Sequence, residues 1–406
     1  MKSSAPWRSS GARHLAVVSL LLASCSSFVH HRPGIIKPAT TLLYSSSSSS
    51  SSSSTAAIPP PSEFDAQPAF YEWLGVHRIR YTERRRQQQG SPKATVVLVH
   101  GFGASYGQFR DNIPALVEGG YDVYGLDLLG FGESAKAPPG EGGLVYSIDT
   151  WSDLVSDFCR DIVGRKGGSQ QQQQPLILVG NSIGSLVCAN LASRPSGTAA
   201  DALVLLNCAG GMNSKLLLNE PDIPPLLRTL VLRPLLFFFD LLLTSPLTQR
   251  WAQGFFDDFR SRENVEKVLR QVYVNGAARV DGALVSQILE PDEDPGAFRV
   301  FCAILSGDPG PHPTAVFPAL ERKGVPVCFI WGAEDPWTPL SGGPAQLMRA
   351  FAERTAASAG SAFTVLPDVG HCPHDDDPAA VNAAVLLWLG DWLDSRDDSR
   401  LRSPAG

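Results

Sequence analysis

The chain has 406 residues, of which 43% are hydrophobic and 18% charged, and a formal charge of −6. That length can bury a large core, and the mildly acidic balance, with no Lys/Arg stripe beyond the short run Arg84, Arg85 and Arg86, excludes nucleic acid as a partner. The seven cysteines are odd in number and scattered, without a C-x-x-C or metal-like cluster, so they read as reduced thiols and the sequence calls for no metal or organic cofactor.

The first 62 residues do not read as part of a fold. Lys2, Arg8 and Arg13 precede the apolar run Leu15 to Ala23, and the small residues Ser24 to Ser27 follow, so residues 1–27 have the order of a signal peptide. The apolar run is too short to span a bilayer. Residues 28–62 begin with Phe28, pass through His30, His31, Arg32 and Lys37, hold ten consecutive serines from Ser45 to Ser54, and contain no acid. Basic, serine-rich and acid-free is the composition of a transit peptide. A signal peptide joined to a transit peptide resembles the two-part presequence of algae whose plastids lie inside extra membranes, which implies a plastid (chloroplast) destination. The alternative is secretion with a serine-rich stalk; against it stand the odd cysteine count and the absence of any N-x-[ST] acceptor.

From Glu63 onward, short apolar runs alternate with helical patterns, which predicts an α/β fold with a mostly parallel central sheet and helices on both faces over residues 63–394. Tyr71 to Leu74 and His77 to Thr82 flank Gly75 as an antiparallel hairpin. Buried strands are then expected at Val96–Val99, Asp122–Leu126, Leu176–Val179, Leu203–Asn207, Val325–Trp331 and Phe363–Leu366. Helices are expected at Thr150–Arg165, Ile183–Ser193 and Pro378–Leu393, with a disordered tail at 395–406. Two low-complexity inserts, Arg84 to Gly90 and Gly167 to Gln174, read as surface loops. Residues 212–313 show no strand pattern and predict a helical lid insertion. Its most apolar part, Leu226 to Leu243, carries Arg228, Arg233, Asp240 and a central Pro234. Each charge costs about 2.5–3.5 kcal/mol at a bilayer centre, so no transmembrane span is expected in the mature chain. The Phe237 and Phe238 side chains are expected to line a substrate cleft.

Three short motifs carry chemistry. Gly180-Asn181-Ser182-Ile183-Gly184 is G-x-S-x-G, set between a buried strand and a helix, the context of a nucleophile elbow with Ser182 exposed at a strained turn. His100-Gly101-Phe102-Gly103 follows the Val96 strand, and the backbone N–H groups of Phe102 and Ile183 are the candidate oxyanion donors. His100 itself reads as a structural residue that holds the loop. Downstream, Glu334 and Asp335 follow the Val325 strand, and Gly370-His371 precedes the last helix. Asp335 is the preferred acid, with Glu334 the near alternative, and His371 the preferred base over His374, which sits in a turn expected to be solvated and acidic (Asp375, Asp376, Asp377). Cys372 reads as a bystander thiol.

With these residues in hand the chain resembles the α/β hydrolases, whose chain order of nucleophile, acid and base it keeps in Ser182, Asp335 and His371, and whose G-x-x-D-x-x-x-P loop matches Gly332 to Pro339. Leu205 to Asn213, Gly307 to Pro311 and Gly370 to Pro373 look, more narrowly, like the plastid chlorophyll dephytylase and pheophytinase group. That resemblance implies hydrolysis of the phytyl ester of chlorophyll or pheophytin, with a phytylated tetrapyrrole as substrate; peripheral contact with the thylakoid membrane is a further expectation. Ser185 departs from it, because many members carry a second glycine there. Two other readings stay open: a plastid lipase or esterase acting on other lipid esters, and a receptor-like hydrolase whose lid signals to partners.

Overall fold

The computed structural model describes residues 69–402, apart from 87–89, 166–173, 196–199, 220–222 and 276–278. Residues 1–62, expected from the sequence to be a presequence, and nearly all of the Gly167 to Gln174 insert lie outside the described residues. Eight strands form one sheet: β1 (Ala69–Trp73), β2 (His77–Arg84), β3 (Thr95–Val99), β4 (Asp122–Leu126), β5 (Leu176–Asn181), β6 (Ala202–Leu206), β7 (Val327–Gly332) and β8 (Ala362–Leu366), in the order β1-β2-β4-β3-β5-β6-β7-β8. β1 and β2 pair antiparallel around the Leu74–Gly75 turn, β2 pairs antiparallel with β4, and all later neighbours are parallel. β5, β6 and β7 are buried along their whole length, which explains why they read as unbroken apolar runs rather than alternating ones.

Helices cover both faces. On one side α2 (Ile148–Asp161), α3 (Ile183–Ser193), α9 (Pro313–Lys323) and α10 (Gly343–Ala359) bury Trp151, Phe158, Leu186, Phe317 and Phe351 against one face of the sheet, with Val97, Tyr124, Leu178, Leu205 and Phe329. On the other, α1 (Asn112–Glu118) and α11 (Pro378–Arg402) bury Ile113, Leu116, Val381, Val385 and Leu389. α11 runs past the end expected at Leu393 and into the stretch expected to be a disordered tail. The reason is local: neither Pro nor Gly interrupts it after Gly390 until Pro404, and Arg396 lies over the Trp392 ring and pairs with Asp201 at 2.8 Å.

Between β6 and β7 the chain makes the helical lid, with α4 (Arg233–Thr244), α5 (Gln249–Phe259), α6 (Arg262–Val272), α7 (Gly282–Asp292) and α8 (Ala297–Ser306). A π-helical turn at Arg228–Leu232 leads into α4. The lid has its own small core, where Leu243, Ala252, Phe256, Phe298, Phe301 and Leu305 meet. Among the described residues no helix is long and apolar enough to cross a membrane. The six described cysteines are all buried free thiols.

Candidate active site

The site is built at the carboxyl ends of β3, β5, β6 and β7. β5 ends at Asn181, and Ser182 turns the chain with φ 54° and ψ −120°, a left-handed conformation that a serine adopts only where the surroundings impose it. The surroundings do so by close packing. A Cβ on Gly180 would lie 2.5 Å from the carbonyl of Gly184, and one on Gly184 would lie 2.3 Å from the carbonyl oxygen of Val99. The two flanking glycines are therefore steric requirements of strand, turn and helix passing one another. Ser185, where a second glycine is common in the resembling group, is fully buried; its hydroxyl donates to the Gly180 carbonyl at 2.7 Å and accepts from the Leu206 N–H at 3.1 Å. The serine staples the elbow to β5 and β6.

Ser182, His371 and Asp335 form a continuous hydrogen-bonded chain. Nε2 of His371 is 3.0 Å from Oγ of Ser182, and Nδ1 is 2.8 Å from Oδ2 of Asp335. Asp335 and His371 are buried. Burial opposes the charge on Asp335, but the adjoining imidazole and a cage of donors outweigh it and hold the carboxyl below the ordinary carboxylate range. The donors are the Trp337 N–H at 2.7 Å, the Thr338 N–H at 3.0 Å, the Thr338 hydroxyl and the Asn207 amide. Glu334 is exposed and stands outside this cage. The Trp337 ring, 4.9 Å from the imidazole centroid, shields the base from water on one side.

Asn207 was not singled out as a site residue in the sequence. It sits at φ 42° just after β6, its Oδ1 accepts from the Gly332 N–H at 3.0 Å, and that bond fixes its amide so that Nδ2 faces Asp335. The available signal was a polar residue closing a wholly apolar strand, of a type that tolerates left-handed backbone. A second correction concerns the turn after His371. It is not solvated: His374, Asp375 and Asp376 are buried. Asp375 receives Arg110 at 2.9 Å, Arg279, and the Tyr273 hydroxyl at 2.8 Å. Asp376 accepts the N–H groups of Gly370 at 2.7 Å and Val274 at 3.0 Å, while the His371 N–H donates to the Val272 carbonyl at 2.9 Å. These acids therefore stitch the lid's α6 end to the loop that carries His371. His374 packs on the Phe109 ring at 4.4 Å, and its burial lowers its pKa to about 4. His100 likewise holds loops, with Nδ1 2.7 Å from the Gly101 carbonyl and Nε2 accepting from the Leu128 N–H at 2.9 Å.

A pocket of about 170 Å³ opens over Ser182. Phe102 and Ile183 both line it, and Ile183 is the first residue of α3, so its N–H has no partner within the helix. The walls are apolar: Phe131, Phe256, Phe259, Leu269, Val300 and Phe301 among others, most of them from the lid. Cys372 also reaches the wall, as a thiol whose burial raises its pKa well above the ordinary value. Phe237 and Phe238 do not. They are 69% and 56% exposed on the outer face of α4, while the opposite face of that helix, Leu236 and Leu243, is buried. Consecutive residues on a helix cannot all face one cleft, and the periodicity of α4 turned these two outward. The cleft-lining role passes to Phe256, Phe259 and Phe301.

The Alpha/beta hydrolase family matches residues 96–384, a span that holds the elbow, the acid loop and the base. The chain belongs to the alpha/beta hydrolase family. Among curated relatives, this hydrolase is 24% identical over 348 residues to a chloroplastic pheophytinase of Arabidopsis thaliana, a match that takes in 78% of the chain but spans 65% of the pheophytinase. It is 25% identical over 255 residues to the uncharacterized hydrolase YugF of Bacillus subtilis, covering 62% of the chain and 77% of that protein. Among solved structures, a thermophilic esterase from Thermogutta terrifontis superposes with a TM-score of 0.54 at 21% identity, over 80% of this chain and 99% of the esterase. At that identity the superposition speaks for the fold alone.

Proposed function

We propose that this hydrolase cleaves carboxylic esters through an acyl-enzyme. The observation that carries the reading is the unbroken chain Ser182–His371–Asp335 beneath an apolar pocket. His371 takes the Ser182 proton as the hydroxyl attacks the ester carbonyl, and Asp335 fixes the imidazole tautomer and stabilises the imidazolium that forms. The oxygen of the tetrahedral intermediate is received by the N–H groups of Phe102 and Ile183, with the amino end of α3 adding its dipole. His371 then returns the proton to the leaving alcohol, and water repeats the sequence on the acyl-enzyme.

The substrate class we infer is an ester with a long apolar alcohol, the phytyl ester of chlorophyll or pheophytin. It is supported by the aromatic and aliphatic lid wall over Ser182, by the stretches Leu205 to Asn213, Gly307 to Pro311 and Gly370 to Pro373, and by the likeness to a chloroplastic pheophytinase. The matching compartment is the plastid, reached through the presequence at 1–62. Incubation of the mature enzyme with chlorophyll, pheophytin and a galactolipid, followed by pigment and lipid chromatography, tests the assignment. Release of phytol with chlorophyllide or pheophorbide, absent in Ser182→Ala, is the expected result. Release of fatty acid from the galactolipid alone assigns the site to acyl lipids instead.

A further inference from the structure

The apolar helix that the pocket does not use remains to be explained. From Leu226 to Trp251 the lid exposes Leu226, Leu230, Leu235, Phe237, Phe238 and Leu247, the last 96% accessible. This is one continuous outer face, running from the turn before the π-helical segment, along α4, to the start of α5. Contiguous exposure of this size marks an interaction surface. Its charge pattern is one-sided. Arg233 and Arg250 are exposed and Arg228 half-buried, whereas the one acid of the stretch, Asp240, is neutralised by Lys215 at 2.8 Å.

We propose that this face docks the enzyme onto a lipid bilayer that carries anionic headgroups. Apolar side chains flanked by arginines, on a helix that lies flat against the body of the protein, fit the plane of the headgroup and acyl boundary. The inner sides of the same helices bear on the pocket: α5 carries Trp251 outward and Phe256 and Phe259 into the cleft, and Leu243 of α4 packs with Phe301 of α8 in the lid core. Docking thus seats the lid where an apolar substrate dissolves. The proposal does not depend on which ester is cleaved, because binding is read without turnover.

Flotation of the full mature chain with vesicles of phosphatidylcholine, with and without phosphatidylglycerol, is the test. The wild type is expected to float with the anionic vesicles and to be released as salt is raised. The triple variant Leu230→Ser, Leu235→Ser, Leu247→Ser should partition about a thousandfold more weakly, since each exposed leucine that enters the acyl boundary is worth about tenfold. Arg233→Gln with Arg250→Gln should weaken binding to anionic vesicles by about tenfold or more and leave binding to pure phosphatidylcholine unmoved. All of these side chains stand in solvent, so turnover of a short p-nitrophenyl ester should stay at the wild-type value and report an intact fold. Wild-type protein that fails to float, or a triple variant that floats as well as wild type, overturns the proposal. So does a wild-type dimer that the triple variant dissolves, which would make a second copy the occupant.

Discussion

The two ends of the lid insertion obey different rules. At its inner boundary, where α6 meets the loop of His371, the acids are matched to donors: Asp375 to Arg110, Arg279 and Tyr273, and Asp376 to the N–H groups of Gly370, Val274 and Asn275, while the Val272 carbonyl accepts from the His371 N–H. At its outer face, on α4, large apolar side chains stand in solvent, and none of the described residues covers them. The first arrangement fixes a geometry and the second leaves a surface to be covered. Chemistry that depends on hydrogen-bond distances belongs to the first, and partitioning into an apolar phase to the second.

The largest effects are expected from the matched end. Ser182→Ala and His371→Ala should each lower ester turnover by about 10⁴ or more with the fold intact, because the two act as one unit. Asp335→Asn should also cost orders of magnitude, while Glu334→Gln, exposed and outside the cage, should cost little; steady-state kinetics on a p-nitrophenyl ester decide it. A reversed order for the two acids would move the role to Glu334. A smaller effect contrasts the two faces of the lid directly. Phe256→Ala should raise KM for a long-chain ester and cost about 3–5 kcal/mol of stability, as a buried aromatic does. Phe237→Ala should change neither by a measurable amount in a vesicle-free assay. Equal responses from the two would erase the distinction between inner and outer face.

The smallest effect concerns pH. Folded His374 stays neutral down to about 4, whereas an unfolded histidine takes up its proton near ~6.5. The stability this represents is complete above about 6.5 and is lost as pH falls toward the folded value. His374→Phe should therefore gain about 2 kcal/mol over wild type at pH 5 relative to pH 8, read from denaturant melts at both pH values. A gain that is equal at the two pH values would show that the ring takes up its proton as readily in the folded state as in the unfolded one.

What the sequence revealed divides along the same line as the two lid surfaces. The elbow, the acid loop and the strand series were legible because each depends on neighbours within a few residues. Gly180 and Gly184 must be small because the chain doubles back on itself there, and the β5 to β7 strands are apolar throughout because both faces are covered. Asn207 and the burial of Asp375 escaped, since their partners Asp335, Arg110 and Arg279 lie about a hundred residues or more away and no local pattern announces them. Phe237 and Phe238 were misplaced for a third reason: composition says that a helix is apolar, but which side meets the core depends on how the lid packs. The hydrolase reading therefore rested on local motifs, and the substrate wall had to wait for the fold.

The account stands on Ser182 as a nucleophile activated through His371 and held by Asp335. The most direct measurement is mass spectrometry of the protein after brief incubation with an activated ester or a fluorophosphonate, with the adduct located by peptide mapping. The account predicts a single adduct on the peptide that carries Ser182, none in Ser182→Ala, and formation slowed by orders of magnitude in His371→Ala. An adduct on another residue, or one that forms as fast without His371, would contradict it.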